Sequence, residues 1–429
     1  MNSLEKAIRD NSLNQLKLLL DLGNDVNLKD ISGASLLYTA IKEDSGIEII
    51  KLLIFNGADV NSRNSIGRTP LFKAAMRNNE QIAKLLIDQG ANVDASDKYG
   101  HTPLFMAVIR NNEQIAKLLI DEGANVDASD KYGNTPLFKA SLCRTGVKVL
   151  LLLIERGANV NARDQNGRTP LFLVSKNPKG KEIAYLLIKY GAKVNARSKN
   201  RRTPLFEAAE YLRAGQLVCE LIKNGARVNT RDQYGRTPLF EAARKDNVEI
   251  AKSLIKHGAE INACNRFGRT ALFEAALIGN EDTARLLIKE GANIHVKDQF
   301  NLTPIWISAM YGHHHVVDLL EKNGANTELK NQVGETVYDR LRNTNYDLLY
   351  EGITNHNLIA VKQALEHKLN INEINYVAKT FLAEAVKMKK IEIIWLLLDH
   401  GANPNLLTKR EYENLQDLLK ASSINKNIV

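Results

Sequence analysis

The sequence predicts an all-α solenoid of about twelve helix-turn-helix units joined by short β-hairpin-like turns. Three observations carry this. "TPLF" begins at Thr69, Thr102, Thr135, Thr169, Thr203 and Thr237, then weakens to "TALF" at Thr270, "TPIW" at Thr303 and "TVYD" at Thr336; "SLLY" at Ser35 precedes it. Gly-Ala recurs from Gly57 to Gly324 in the same register, with 33 or 34 residues between successive copies. Residues 77–105 return as 110–138 with only two changes, Gln89 to Glu122 and His101 to Asn134.

Each unit follows from its residues. Thr caps a first helix through its side-chain oxygen, and Pro suits the first helical position because its missing N–H has no partner there anyway. Leu71, Ala74 and Ala75 supply a small apolar face, Asn78-Asn79 a turn, and Ile82, Leu85 and Leu86 the apolar face of a second helix. Gly90 ends it, since glycine takes the left-handed conformation cheaply. "ANVDASDKYG" then returns the chain to the next Thr. Four units are one residue longer between Thr (or Ser35) and Gly, and carry Gly46, Gly146, Gly180 or Gly215 between their helices. That spacing predicts a longer turn flanked by two intact helices.

The continuous array covers residues 1–330. Residues 331–347 read as a degenerate repeat or break, with the pattern failing near Asn343 to Tyr346. Residues 348–429 hold further repeats: Leu348 to Asn372 aligns without gaps to Ser3 to Asn27, and Thr380 leads to Gly401 at the usual distance. A closing helix is expected within "REYENLQDLLKAS". A single unit cannot bury its apolar face, whereas a stack of them buries one continuous core.

The period, the Thr-Pro-Leu start and the Gly-Ala-x-Val-Asn ending resemble ankyrin repeats. The resemblance implies a curved stack whose concave face, built from turn tips and first helices, binds protein partners. One departure recurs: Phe72, Phe105, Phe138, Phe172, Phe206, Phe240 and Phe273 stand where that family usually has His after Thr-Pro-Leu. The expectation is a stacked aromatic ladder, with apolar burial in place of imidazole hydrogen bonds.

Composition bounds the remaining choices. The chain has 429 residues, a net charge of +9 and three cysteines, Cys143, Cys219 and Cys264, with no C-x-x-C pair. A disulfide framework or zinc site is therefore not expected, and a reducing, cytoplasmic location is. Charged residues fill the N-terminus where a signal peptide needs an apolar core, and "VLLLLI" from Val149 is too short to span a bilayer. No nucleophile elbow, phosphate-cradling loop, H-E-x-x-H or dinucleotide fingerprint is present, so no catalysis, metal or cofactor is expected. His313, His314 and His315 are consecutive and point in different directions on a helix, so they cannot converge on one metal. Cys143, beside Arg144, reads as an inert thiol. Heavy use of Asn, Lys and Ile points to an AT-rich genome. With that bias, a bare array resembles the secreted effectors of intracellular microbes and viral ankyrin proteins, for which the location is the host cytoplasm.

The turns carry the candidate site. Stacked in register, Lys98, Tyr99, His101, Lys131, Tyr132, Arg168, Lys199, Arg202, Tyr234, Arg236, Arg266, Phe267, Arg269 and Phe300 interleave basic and aromatic residues. Arg and Tyr are common interface anchors, and Arg pairs carboxylates bidentately, so an acidic or phosphorylated segment of a protein partner fits this surface. The competing reading is local: Glu207, Glu241 and Glu274 neutralise Arg202, Arg236 and Arg269 within the stack. These arginines are expected on the turns, where reversing their charge would leave the fold intact. A nucleic-acid reading would use the same ladder for phosphates and bases, but the modest net charge and interleaved glutamates count against it. A two-part scaffold or spacer, divided at the break, is the third reading. The chain is expected to be a monomer.

Overall fold

The computed structural model describes residues 3–142, 147–177, 179–330, 334–367, 369–372 and 380–425. Among these residues every regular element is helical, apart from one isolated antiparallel bridge between Lys29 and Ser35. The chain forms two compact units, Met1–Glu260 and Ile261–Val429.

In the first unit the repeat that begins at Thr69 shows how each pair of helices is made. Thr69 Oγ1 accepts the Phe72 N–H at 3.2 Å, and Pro70 opens the helix Pro70–Arg77. Asn78 ends it in the left-handed conformation, φ 65°. The next residue, Asn79, caps the second helix, Glu80–Asp88, by accepting the Ile82 N–H. Asn112 and Asn247 cap their second helices the same way. Gly90 follows at φ 80°, and the Ala91 N–H donates to Leu86 O. The return segment closes like a hairpin: Asp97 N–H donates to His101 O and Gly100 N–H to Asp97 O, both at 2.9 Å.

Two ladders tie each repeat to the next. One runs along the turns, where Lys98 N–H donates to Ile66 O, Lys131 N–H to Tyr99 O, Gln165 N–H to Tyr132 O, and Lys199 N–H to Asn166 O. The other is an asparagine clamp. The Asn61 side chain donates to Gly90 O at 3.0 Å and accepts the Asn92 N–H at 2.7 Å. Asn27, Asn161, Asn195 and Asn229 repeat it. The duplicated repeats differ: Asp94 and Asp127 stand at this position, and each accepts the amide of the next repeat. A carboxylate has no N–H to give the glycine carbonyl, so the clamp is half made there.

The seven phenylalanines are buried to within 2% of complete, as are Leu71, Ala74 and Ala75. Their burial agrees with the expectation, but the stacking does not. Among the described residues no two of these rings pair. Groups from the turns and first helices cover them instead: Arg68 over Phe72, Lys139 and His101 over Phe105, and Arg202 over Phe206. A period of one repeat holds the rings too far apart to touch, and the cations fill the gaps. The buried hydroxyls of Thr135, Thr169, Thr270 and Thr303 have no hydrogen-bond partner.

Among the longer units, the one that begins at Ser35 keeps two intact helices, Leu36–Lys42 and Ile47–Phe55, as expected, and the one that begins at Thr169 departs. In the repeat that begins at Thr169 the first helix is cut to Pro170–Leu173 and tightens into a 3-10 turn, Val174–Lys176. Gly180 opens the second helix so close to that turn that an added β-carbon would lie 2.3 Å from Val174 O. In this unit alone of the two the expected intact first helix is shortened. Gly146 lies outside the described residues.

The second unit begins with regular pairs, Ala271–Ile278 with Glu281–Lys289 and Pro304–Met310 with His314–Lys322. One continuous helix, Val337–Thr354, then runs straight through residues 343–346. A Thr336–Asp339 capping box starts it. The polar residues that interrupt the sequence pattern bind neighbouring helices: the Thr344 hydroxyl reaches Ala309 O, and the buried Asn345 side chain lies 2.7 Å from His314 Nε2. The degenerate repeat has no second helix of its own because its first helix continues into that of the next pair. Leu349, Ile353, Val361, Phe381, Ile393 and Leu397 form the core beyond it, and Leu415 of the last helix, Lys409–Asn425, joins them.

Two predictions follow from this framework. Asp94→Asn and Asp127→Asn complete the clamp, and each should raise stability by about 0.5–1 kcal/mol in urea unfolding. In the second unit the His314 and His367 rings stack at 3.3 Å, and burial pushes both below the ordinary 6.5. The unfolded chain therefore takes up these protons first, so stability falls as pH drops below that value. A His314→Gln/His367→Asn variant should lose less stability than the parent between pH 7.5 and 5.5.

Candidate protein-binding surface

Each turn is built around one buried acceptor. Asp97, Asp130, Asp164, Asp232 and Asp298 use Oδ1 to accept the N–H groups two and four residues on, all at 2.8–3.0 Å. Asn64 and Asn265 do the same in their turns. The aspartates keep a second oxygen, and that oxygen needs a cation.

This requirement decides where the arginines point. In the first unit Arg168 pairs with Asp164 at 2.8 Å and Arg236 with Asp232 at 2.8 Å, each within its own turn. Arg68 has only Asn64 in its turn and reaches forward to Asp97 at 3.1 Å. His101 lies 3.5 Å from the same Asp97 oxygen. Asn134 donates to Asp130, with Lys139 at 3.9 Å. In the second unit Arg269, whose turn has Asn265, reaches forward to Asp298 at 2.9 Å.

Arg202 has neither option, because Ser198 occupies its turn and Arg236 takes Asp232. It turns instead to Glu207, Glu210 and Glu241, at 3.2–3.3 Å. Glu241, 1% exposed, is the centre of this network, with Arg236 at 3.4 Å and Arg244 at 2.5 Å as well. Burial pushes the Glu207 carboxyl up, and Arg202 only partly offsets it. Burial acts the same way on Glu210, but Arg202 and Arg244 outweigh it and hold that carboxyl low. Sequence reading found two of these glutamates. It did not find Glu210 and Arg244, whose place in the network depends on the irregular first helix of one repeat.

The outer layer differs. Tyr99 lies between two lysines: Lys98 Nζ is 5.2 Å and Lys131 Nζ 4.8 Å from its ring centre, and Lys131 is also 5.0 Å from Tyr132. Neither lysine has a carboxylate partner among the described residues. Lys199 and Tyr234 are exposed in the same unit. In the second unit Arg266, Phe267 and Phe300 are exposed, Phe300 at 65%. The fourteen candidate residues thus separate into an inner set held by carboxylates (His101, Arg168, Arg202, Arg236 and Arg269) and an outer set facing solvent or half covered.

Comparison with known families agrees with this architecture. The profile described as ankyrin repeats (3 copies) matches residues 4–97, 37–130, 91–164, 145–232 and 212–298, and the single ankyrin repeat profile matches 300–332. The chain belongs to the ankyrin repeat family. An ankyrin repeat protein of fowlpox virus (strain NVSL) is 43% identical over 58 residues, which span 14% of this chain and 8% of that protein.

Other features of this ankyrin repeat protein bear on chemistry. Among the described residues no group of His, Cys, Asp and Glu is placed to hold a metal ion, and no helix is long and apolar enough to cross a membrane. His313 is anchored to Leu277 O and His314 to Asn345, so the three histidines diverge. Cys219 and Cys264 are exposed thiols; Cys143 and Arg144 lie outside the described residues.

The expectation that the turn arginines can be reversed without cost is corrected here. Arg202→Glu/Arg236→Glu/Arg269→Glu places new carboxylates against Glu241, Asp232 and Asp298 and should destabilise by at least about 3 kcal/mol. Urea unfolding followed by circular dichroism measures this. A Lys98→Glu/Lys131→Glu control should stay within about 0.5 kcal/mol of the parent.

Proposed function

We propose that this chain is a non-catalytic protein-binding array, with the outer turn layer as its contact surface and an acidic or phosphorylated segment of a partner protein as its ligand. Ankyrin repeats are generally protein–protein interaction modules, and that supports the general class. The observation that carries the finer reading is Tyr99 held between Lys98 and Lys131, two cations with no internal carboxylate, while the arginines behind them are already neutralised. A flat aromatic ring costs little conformational entropy to order and anchors an interface well, and the flanking lysines set its preference for negative charge.

In the first unit the contact residues are Lys98, Tyr99, Lys131, Tyr132, Lys199 and Tyr234; in the second they are Arg266, Phe267 and Phe300. Within each unit, that surface is the concave side of its own repeats. A host-cell setting belongs to the proposal, on the grounds of the viral relative and of the Asn-, Lys- and Ile-rich composition. Nucleic acid is disfavoured because the inner arginines, which would carry most phosphate contacts, are bound to carboxylates.

The test is capture from nuclease-treated host cytosol, identification by mass spectrometry, and titration of the purified partner against wild type and a Tyr99→Ala/Lys98→Glu/Lys131→Glu variant. A loss of affinity of about tenfold or more in the variant, with the fold unchanged, is the expected result. Equal affinity for both proteins would overturn this placement.

A further inference from the structure

A second basic feature lies in the first unit, apart from the tyrosine–lysine surface. Arg197, Arg201, Arg227 and Arg231 line a recess of about 380 Å³, together with Asn229 and Thr230. Arg197 and Arg201 belong to one turn, Arg227 and Arg231 to the next. Among the described residues Arg197, Arg201 and Arg227 have no ion pair and no side-chain hydrogen bond. Arg231 reaches Glu260 at 3.5 Å and Gly235 O at 3.3 Å. Arginine keeps its proton at any physiological pH, so the recess holds concentrated positive charge that the fold leaves largely unbalanced. The contrast within one turn is sharp: Arg202 contacts three glutamates, and its neighbour Arg201 contacts none.

The backbone adds an independent observation. Arg201 has φ 61°, the left-handed region that an L side chain rarely adopts. The corresponding residue is glycine at Gly67, Gly100, Gly133, Gly167 and Gly235, and Asn301, at φ 64°, in the turn before Thr303; Asn tolerates this conformation through its short polar side chain, whereas Arg does not. The glycines have a second reason: a β-carbon there would meet the next turn, 2.9 Å from the Asp130 Cα at Gly100 and 3.1 Å from the Asp164 Cα at Gly133. At position 201 the chain accepts the strained conformation, and the result is a fourth guanidinium in the recess. Strain of this kind gathers at ligand-binding positions.

We propose that this recess binds a phosphoryl group, presented by a phosphorylated residue of a protein segment. Several guanidinium forks around one point match the tetrahedral oxygens of a phosphate better than a single planar carboxylate. The patch is also confined. At the positions equivalent to Arg227, the preceding turns have Lys193 and Asn159 and the following one has Glu260, which reverses the charge. Arg163, equivalent to Arg197, spends its guanidinium on Gly167 O and Arg197 O. A nucleic-acid strand needs a track of cations and aromatic faces for its bases; here Glu260 reverses the charge on one side, and no aromatic residue lines the recess.

The proposal rests on the chain being a protein-binding array, and its test is separate from that of the tyrosine–lysine surface. The full chain is titrated by fluorescence anisotropy with three probes: a degenerate peptide pool with a central phosphoserine, the same pool with serine, and a twelve-nucleotide single-stranded RNA. Wild type should bind the phosphorylated pool about tenfold or more tighter than the serine pool, and Arg197→Glu/Arg227→Glu should abolish that difference. Arg201→Gly relieves the strain, so it should keep or raise the thermal midpoint while weakening phosphopeptide binding about threefold or more. Equal binding of the two pools, an Arg201→Gly variant that binds like wild type, or tighter binding of RNA than of the phosphorylated pool would each overturn the proposal. Retention of the captured partner by Arg197→Glu/Arg227→Glu, together with equal binding of the two pools, would remove the recess and leave the tyrosine–lysine surface standing.

Discussion

Most of what this molecule does structurally depends on hydrogen bonds between one repeat and the next. The asparagine clamp and the turn-to-turn amide ladder both use groups that a lone repeat would leave unpaired: a glycine carbonyl in a left-handed bend, and an amide at the tip of a return segment. These bonds add to the apolar face that a lone repeat would leave uncovered, so each repeat is stable only with a neighbour. The same dependence explains how residues 77–105 could be duplicated as 110–138. A new copy meets surfaces complementary to its own, and the half-made clamps at Asp94 and Asp127 show that the pairing tolerates one missing bond.

The buried turn acceptor imposes the next layer of order. Where it is Asp, its second oxygen recruits a cation; where it is Asn or Ser, the local arginine is released to seek another carboxylate. Arg68 and Arg269 find the following turn, and Arg202 finds Glu207, Glu210 and Glu241. A row of arginines that looks uniform in sequence therefore has three different destinations. Among the described residues, cations without a carboxylate partner include Lys98 and Lys131 around Tyr99, and Arg197, Arg201 and Arg227 in the recess.

The helices spend their apolar faces on the core, and the turns are left facing outward. At Arg201 local structure and fold stability pull apart. Consistency between levels marks the scaffold, and its violation marks a candidate for binding.

The sequence by itself determined the repeat, its helices and its core. Thr caps, Pro starts, Gly stops and the spacing of Phe72, Leu71, Ala74 and Ala75 act within one unit, so their signals are local and readable. It also carried the warning in Arg201, which breaks a glycine pattern, though nothing local said what that arginine would face. Tertiary structure alone decided the destinations of the arginines, the use of Asn61 and its equivalents as clamps, and the continuation of Val337–Thr354 through a stretch that reads as a break. The physical reason is the same in each case: the partner lies about one repeat away in sequence, and which of several carboxylates or carbonyls wins depends on distances that only the stacked repeats set.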